Sequence, residues 1–435
     1  MKARYTLLLA ALAISLVTIG YEFYQRTLSK KFVLSDVFVQ TSVIVLFSFL
    51  VLLVFRYLIL IWFSYLDQLE DEPLPALRRY PRVSVLVPCY NEGTVVQASI
   101  RSLLELDYPN YEILVIDDGS TDDTYRRANA LAGKHGNTEV KVITKPNGGK
   151  SRALNAGIRA ATGSIVLCMD GDSALTSDTL REGVKHFLDP TIGAVAGNVK
   201  VVNRGNMLAK LQALEYIEGL NMARKAQGFF RMVNIIPGPV GFFRKKALYD
   251  VGLYDHDTFA EDCDLTLKLL MAGHKVRYER RCVALTEAPE DLLDLLKQRY
   301  RWTRGILQAV KKHSGLLIRP HRAPANSFIL WYMVFEGMAW PAMNIFANVF
   351  FVIIGIHYGL TDLLVFWWAQ LTILDVAAAV YCVAIEEEDL RLALYAVFYR
   401  LFFILIVDVC KVLATAEELM GRQMTWGKLE RKGRI

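Results

Sequence analysis

Pairs of carboxylates recur along the middle of this chain: Asp117-Asp118, Asp170-Gly171-Asp172 and Glu261-Asp262. Two carboxylates one residue apart, as in Asp170 and Asp172, can both reach a hard divalent cation that also binds phosphate oxygens. A carboxylate at the mouth of a site, as Asp262 would be, can take a proton from an attacking hydroxyl. Asp264, two residues on, reads instead as a helix-cap or salt-bridge residue and is assigned no chemistry. Asp118, in the run Asp117 to Asp123, offers an acceptor to a base or ribose, and Gly119 allows close backbone approach. The same run would serve equally as an Asp-rich turn capping the next helix. Asn147-Gly148-Gly149-Lys150 would present backbone amides, a positive helix end and an ammonium to a diphosphate. It is not a Walker loop, because the upstream glycine and its spacing are missing. Pro237-Gly238-Pro239 is a turn that lets a substrate pass near the backbone. Gln298-Arg299-Tyr300-Arg301-Trp302 places an amide, guanidinium groups and an indole on one segment. Arginine pairs with phosphate and an aromatic face stacks on a sugar, although a basic, aromatic helix end also suits a membrane-interface anchor.

These residues need a scaffold that brings them to one edge. Val83 to Pro88 reads as a buried strand closed by Pro88-Cys89-Tyr90-Asn91-Glu92, with a helix over 94–106. Strands follow at Tyr111 to Ile116, Val140 to Thr144 and Ser164 to Met169. Strands alternating with helices predict a doubly wound, mainly parallel α/β sheet, in which ligands bind beyond the carboxyl ends of the strands. The acidic clusters and Pro88, Tyr90 and Glu92 stand at those ends. Residues 207–222 and 290–310 have helical periodicity and suit core or interfacial helices.

The flanks are apolar. Among 435 residues, 53% are hydrophobic and 22% charged, which fits a water-facing domain joined to membrane segments. Val39 to Trp62 predicts a transmembrane helix, and Thr6 to Gly20 another, with a cleaved signal peptide as the rival for the first. Further apolar runs cover 328–358, 363–385 and 392–414, and Pro341 is a candidate break that would turn the first into a hairpin. Five or six crossings are compatible with this pattern. Arg56, Glu336, Asp408 and Lys411 are charges within apolar runs and require partners, a polar passage or snorkelling. The expected division is two N-terminal spans to residue 64, a linker over 65–82, a cytosolic domain over 83–289, interfacial helices over 290–326, spans over 327–414 and a basic tail over 415–435. Six scattered cysteines without a C-x-x-C pair argue against a disulfide framework or a zinc site. The net charge of +6 suits anionic substrates or positive-inside flanks.

Taken in order, P-x-Y-N-E, D-D-G-S-T-D, G-G-K-S-R-A-L-N, D-G-D, E-D-C-D and Q-R-Y-R-W resemble the motifs of membrane-embedded processive family-2 glycosyltransferases. That group includes the synthases of cellulose, chitin, hyaluronan and poly-N-acetylglucosamine, and the resemblance spans roughly residues 80–310. It implies a GT-A catalytic domain inserted between α-helical transmembrane segments, at the cell membrane and facing the cytosol. It also implies a UDP-sugar donor, with UDP-N-acetylglucosamine favoured, a growing polysaccharide acceptor, and Mg²⁺ or Mn²⁺ held by Asp170 and Asp172. Asp262 would be the general base, with Ala260 where many relatives carry threonine. Pro88, Tyr90, Glu92, Asp118, Lys150, Asp170, Gln298 and Arg301 would face the nucleotide sugar. Trp302, Glu261 and Gly238 would face the acceptor. Trp426 and Lys428 are similar to a gating loop, or are an interfacial anchor. No nucleic-acid partner is expected, and the resemblance leaves room for a small membrane accessory subunit and for translocation of the product. The alternative is a single-transfer enzyme acting on a lipid-linked acceptor.

Overall fold

The computed structural model describes residues 37–70, 77, 79–357 and 361–422. Thr6 to Gly20, Trp426 and Lys428 lie outside them. Runs rich in branched apolar residues form the strands of one mixed sheet: β1 (Val83–Cys89), β2 (Tyr111–Asp117), β3 (Gly133–His135), β4 (Thr138–Thr144), β5 (Ile165–Cys168), β6 (Ser173–Leu175), β7 (Ile192–Val201), β8 (Gly241–Arg244) and β9 (Lys275–Thr286). The spatial order is β3-β4-β2-β1-β5-β8-β7-β9-β6. β4, β2, β1 and β5 are mutually parallel neighbours, as predicted. β8 runs against both β5 and β7, and β3 and β6 are antiparallel edges. The second half is therefore mixed where the sequence suggested parallel winding.

Alternation along the central strands feeds two cores. Val85, Ile113 and Leu167 join one cluster, and Leu86, Leu114 and Val166 join the other. The first cluster runs without interruption into apolar helices through Leu53, Leu374 and Ala378, so sheet and flanking helices share a core. All six cysteines are buried and unpaired.

Four helices among the described residues are long and apolar enough to cross a membrane: Val51–Glu70, Pro324–Ile353, Trp368–Ile385 and Leu390–Leu419. Pro341 does not split the second. A π-helical stretch, Phe335–Ala339, immediately precedes it, and the wider turn makes room for a ring that would clash with a regular helix. Two further π-helical stretches are Tyr216–Asn221 and Tyr399–Phe403. Each of the three carries an ionisable residue: Glu218, Glu336 and Arg400.

Of the charges in apolar runs, Arg56, Glu336 and Asp408 find side-chain partners. Arg56 makes a two-pronged pair with Glu336, one contact being 2.9 Å. Arg400 forks onto Asp375, with Nη2 to Oδ1 at 2.8 Å, and Tyr57 donates to the same Oδ1 at 3.0 Å. Asn344 donates to Asp408 at 2.6 Å. These contacts join helix to helix. Removing one partner of a buried pair strands the other charge, at a cost of about 3–5 kcal/mol. Arg400→Leu should therefore destabilise the detergent-solubilised protein by about that much, and Arg400→Leu with Asp375→Leu should recover most of it. Unfolding followed by tryptophan fluorescence checks this; equal losses in the single and double variants would refute the pairing as the cause.

Candidate active site

The chain leaves β2 at Asp117, and Asp118 turns beneath the Gly-Gly-Lys loop. Its buried carboxylate accepts from Gly148 N at 3.1 Å and Gly149 N at 2.7 Å, and it pairs with Lys145. Gly119 makes this turn possible: φ is +73°, and a Cβ there would lie 2.7 Å from Asn147 N. The sequence suggested that loop amides face a ligand. Two of them instead face Asp118, which fixes the loop so that Lys150, first residue of the Lys150–Ala160 helix, projects from a defined place.

Lys150 Nζ lies 2.6 Å from Asp170 Oδ1 and 3.0 Å from Glu261 Oε1. Burial opposes its charge, but Asp170, Glu261 and Asp262 outweigh that and hold its pKa well above the ordinary lysine value. Gly238 closes over this pair; a Cβ there would come within 2.9 Å of both Lys150 Nζ and Asp170 Oδ2. Asp262 sits in the adjoining chamber with Lys150, Asp170, Gly238 and Tyr254. The chamber measures about 10 Å³, roughly one water. Burial and the neighbouring Glu261 charge push the Asp262 carboxyl up to about 6, with Lys150 pulling the other way. A carboxylate with a pKa near neutrality, next to a cation, is suited to accept a proton.

The chamber opens on a cleft of about 590 Å³. Of the residues singled out from sequence, Pro88, Tyr90, Glu92, Asp118, Lys150, Asp170, Asp172, Glu261 and Arg301 line it. Asp170 and Asp172 are half-buried and present hard oxygen donors there. Asp170, with Lys150 on its Oδ1, and Asp172 form a two-carboxylate set whose hard oxygens fit a divalent cation completed by phosphate oxygens. Gln298 and Trp302 are not on the cleft wall. Gln298 is buried and accepts from Arg299 at 2.5 Å. Trp302 lies under the Arg299 guanidinium, 4.3 Å from its ring centre, and 6.3 Å from Tyr216.

Arg299 received no role from sequence, yet it props Trp302 while paired with Glu215. His256 and Thr258, also unassigned, line the cleft as well. Asn155 exchanges two hydrogen bonds with the Tyr254 backbone, at 2.8 and 3.0 Å, fixing that wall of the chamber. Asp264 is structural, as its position suggested: it binds Lys312 at 2.9 Å and His313 at 2.8 Å. Asp255, Asp257 and Asp264 gather within 4.8 Å, but Lys312 touches all three and supplies their counter-charge.

The Leu292–Lys312 helix holds Arg301 and Trp302 in place. Asp291 caps it by accepting from Leu293 N and Asp294 N. Farther along, Arg304 binds Glu418 at 2.7 Å, Gln308 binds it at 3.1 Å, and Tyr300 pairs with Glu417, locking the helix to Ile404–Leu419. On its other face Gly305 touches the backbone before Asp262: a Cβ would lie 2.7 Å from Ala260 N and 2.8 Å from the Ala260 methyl.

Known proteins match this chain in sequence and in fold. The model of "Glycosyltransferase like family 2" matches residues 81–305. A poly-beta-1,6-N-acetyl-D-glucosamine synthase of Staphylococcus epidermidis is 36% identical over 225 residues, which is 51% of this chain and 54% of the relative. The protein of the same name from Staphylococcus aureus strain COL is 33% identical over 257 residues, 58% of this chain and 60% of the relative. The matched stretch thus spans little more than half the length of these curated relatives. A mannosyltransferase of Pyrobaculum calidifontis shares the fold, with a TM-score of 0.59 at 23% identity over 87% of this chain and all of that one.

Gly305→Val would drive the site helix away from Ala260 and shift Asp262. Overpacking of this kind costs about 1–3 kcal/mol. The variant should fold, with a lowered melting midpoint and at least about tenfold lower turnover, since small misplacements of a catalytic group are expensive. Undiminished turnover would show that this contact does not position Asp262.

Proposed function

Because this chain belongs to the glycosyltransferase-like family 2, we propose that it is a processive, inverting hexosyltransferase. It would polymerise N-acetylglucosamine from UDP-N-acetylglucosamine at a membrane. The donor choice leans on the poly-N-acetylglucosamine synthases it is similar to. The observation that carries the chemistry is Asp262 in its desolvated chamber beside Lys150 and Asp170, opening on a cleft sized for a nucleotide sugar. Residues 83–289 would form the catalytic domain, flanked by spans and facing the cytosol.

In this scheme Asp262 takes the proton from a hydroxyl of the acceptor. The freed oxygen forms the new bond to the anomeric carbon as the bond to the diphosphate breaks on the opposite face. Lys150 and Arg301 meet the negative charge that develops on the departing UDP. Asp170 and Asp172 would hold Mg²⁺ or Mn²⁺, whose role when bound is to neutralise diphosphate charge. Pro88, Tyr90, Glu92 and Asp118 would surround the nucleotide, Asp118 in part by fixing the Gly-Gly-Lys loop. Glu261, Gly238 and Trp302 would border the acceptor, with Gln298 acting through Arg299.

Asp262→Asn should lower sugar transfer by about 10²–10⁴-fold while leaving UDP affinity within about threefold. Transfer at the unmutated rate would remove Asp262 from this role. Product length on a gel separates the processive reading from single transfer to a lipid-linked acceptor: one sugar per acceptor overturns processivity.

With Asp262 required as carboxylate and its pKa at about 6, turnover should fall as pH drops through that value and level off above it. A flat profile between pH 5 and about 8 would contradict the assignment.

A further inference from the structure

Asn91 stands between two residues of the cleft wall, Tyr90 and Glu92, and is not itself on that wall. Its backbone is left-handed, with φ at +54°. Side chains avoid this region because Cβ crowds the neighbouring carbonyl, and asparagine is one of the few residues that tolerate it. Such a turn persists where the surroundings over-determine it.

The surroundings are the loop that follows β2. Asn91 N donates to Ser120 Oγ at 2.9 Å, and Asn91 Oδ1 accepts from Thr121 N at 2.8 Å. The next two amides are held as well. Glu92 N donates to Thr124 Oγ1 at 2.7 Å, and Gly93 N donates to Asp122 Oδ2 at 3.1 Å. Just before the turn, Asp118 N donates to Cys89 O at 2.9 Å. The ends of β1 and β2 are thereby knit together, and Ser120, Thr121 and Asp122 are committed to that joint. A second neighbour lies on the metal side. A Cβ on Gly171, between Asp170 and Asp172, would come within 2.9 Å of Cys89 Sγ, 3.0 Å of Pro88 O and 3.6 Å of Glu92 Cγ. Extended backbone at Asn91 would let the chain run on along β1, at about 3.3 Å per residue, and carry Glu92 past Gly171. The left-handed turn keeps Glu92 beside the Asp170-Gly171-Asp172 segment and Tyr90 on the open wall with Asp118. Gly238 and Trp302, on the proposed acceptor side, share none of these hydrogen bonds.

We infer that Asn91 is a positioning residue for the nucleotide-sugar donor: its left-handed turn, tied to Ser120 and Thr121, holds Tyr90 and Glu92 against the donor. This rests on the transferase reading above. Asn91 acts through its neighbours and serves the donor side of the cleft, not the acceptor side.

The test uses the full chain in lipid nanodiscs and measures binding of UDP with Mn²⁺ by calorimetry. Asn91→Gly keeps a residue at ease in the left-handed region and removes only the side chain, so the variant should fold. It should bind UDP about fivefold or more weakly and raise the KM of UDP-N-acetylglucosamine in step, while the KM of an N-acetylglucosamine oligosaccharide stays within about twofold. Unchanged UDP affinity, or an equal rise in both KM values, overturns the inference. A double-mutant cycle asks whether Asn91 acts through the adjacent ring. Tyr90→Ala should weaken UDP binding in the otherwise unmutated chain, and much less in the Asn91→Gly background, where the ring is already misplaced. The same loss in both backgrounds, or no loss in either, also overturns it. If the unmutated protein binds no UDP, the transferase reading fails and this inference fails with it; equal binding by the unmutated chain and Asn91→Gly sinks this inference alone.

Discussion

The Lys150 ammonium is the charge on which the rest of the site depends. It touches Asp170 from the end of β5 and Glu261 from the Glu261–Met271 helix, with Asp262 close behind. Those carboxylates, brought together without a cation, would repel one another in a poorly hydrated space, and at least one would have to bind a proton. With Lys150 among them they hold together and Asp262 keeps a pKa compatible with losing its proton near neutrality. The arrangement also explains glycine at 238: any side chain would occupy the space in which ammonium and carboxylate meet. The fixed position of Lys150 depends in turn on Asp118 holding the loop before it. Residues far apart in sequence thus form a single electrostatic unit.

Much of this was legible in the sequence because strand ends are local. A run such as Val83 to Val87 followed by proline declares both the strand and its polar overhang, and Asp118, Lys150, Asp170 and Asp172 could be placed at the correct edge by that logic alone. The antiparallel insertion of β8 was not legible: Gly241–Arg244 is four residues long and carries no periodicity of its own. Nor was the role of Arg299. Its partner Glu215 lies 84 residues away, and nothing in the spacing of Q-R-Y-R-W says which arginine faces the cleft and which lies against the tryptophan. Asp118 reads from sequence as facing a nucleotide sugar; it does line the cleft, and two backbone amides also occupy its carboxylate. Competition between ligand and backbone for one carboxylate is settled by tertiary distances that composition does not encode.

The apolar flanks are not separate from the site. One core cluster passes from the central strands to the apolar helices, and Asn221 donates to Asn198, which donates to Glu386, just past Trp368–Ile385. The Leu292–Lys312 helix is clasped between the loop before Asp262 and the Ile404–Leu419 helix. A displacement of the helical bundle would therefore reach Trp302 and Asp262 through direct contacts, without an intervening flexible linker.

The π-helical stretches have a consequence for how such a chain can change over time. Each holds one residue more than the regular turn it replaces, and so advances the angular phase of everything that follows by about 100°. In Tyr216–Asn221 that extra residue decides which way the whole Met222–Phe229 helix faces. Losing a single residue there would leave composition and hydrophobicity almost untouched. It would also rotate the helix by a quarter turn or more, carrying its buried residues Met222, Lys225 and Ala226 out of the face they now pack. Length in this stretch is thus under tighter constraint than residue identity, and an insertion or deletion here should be rarer among functional descendants than a substitution.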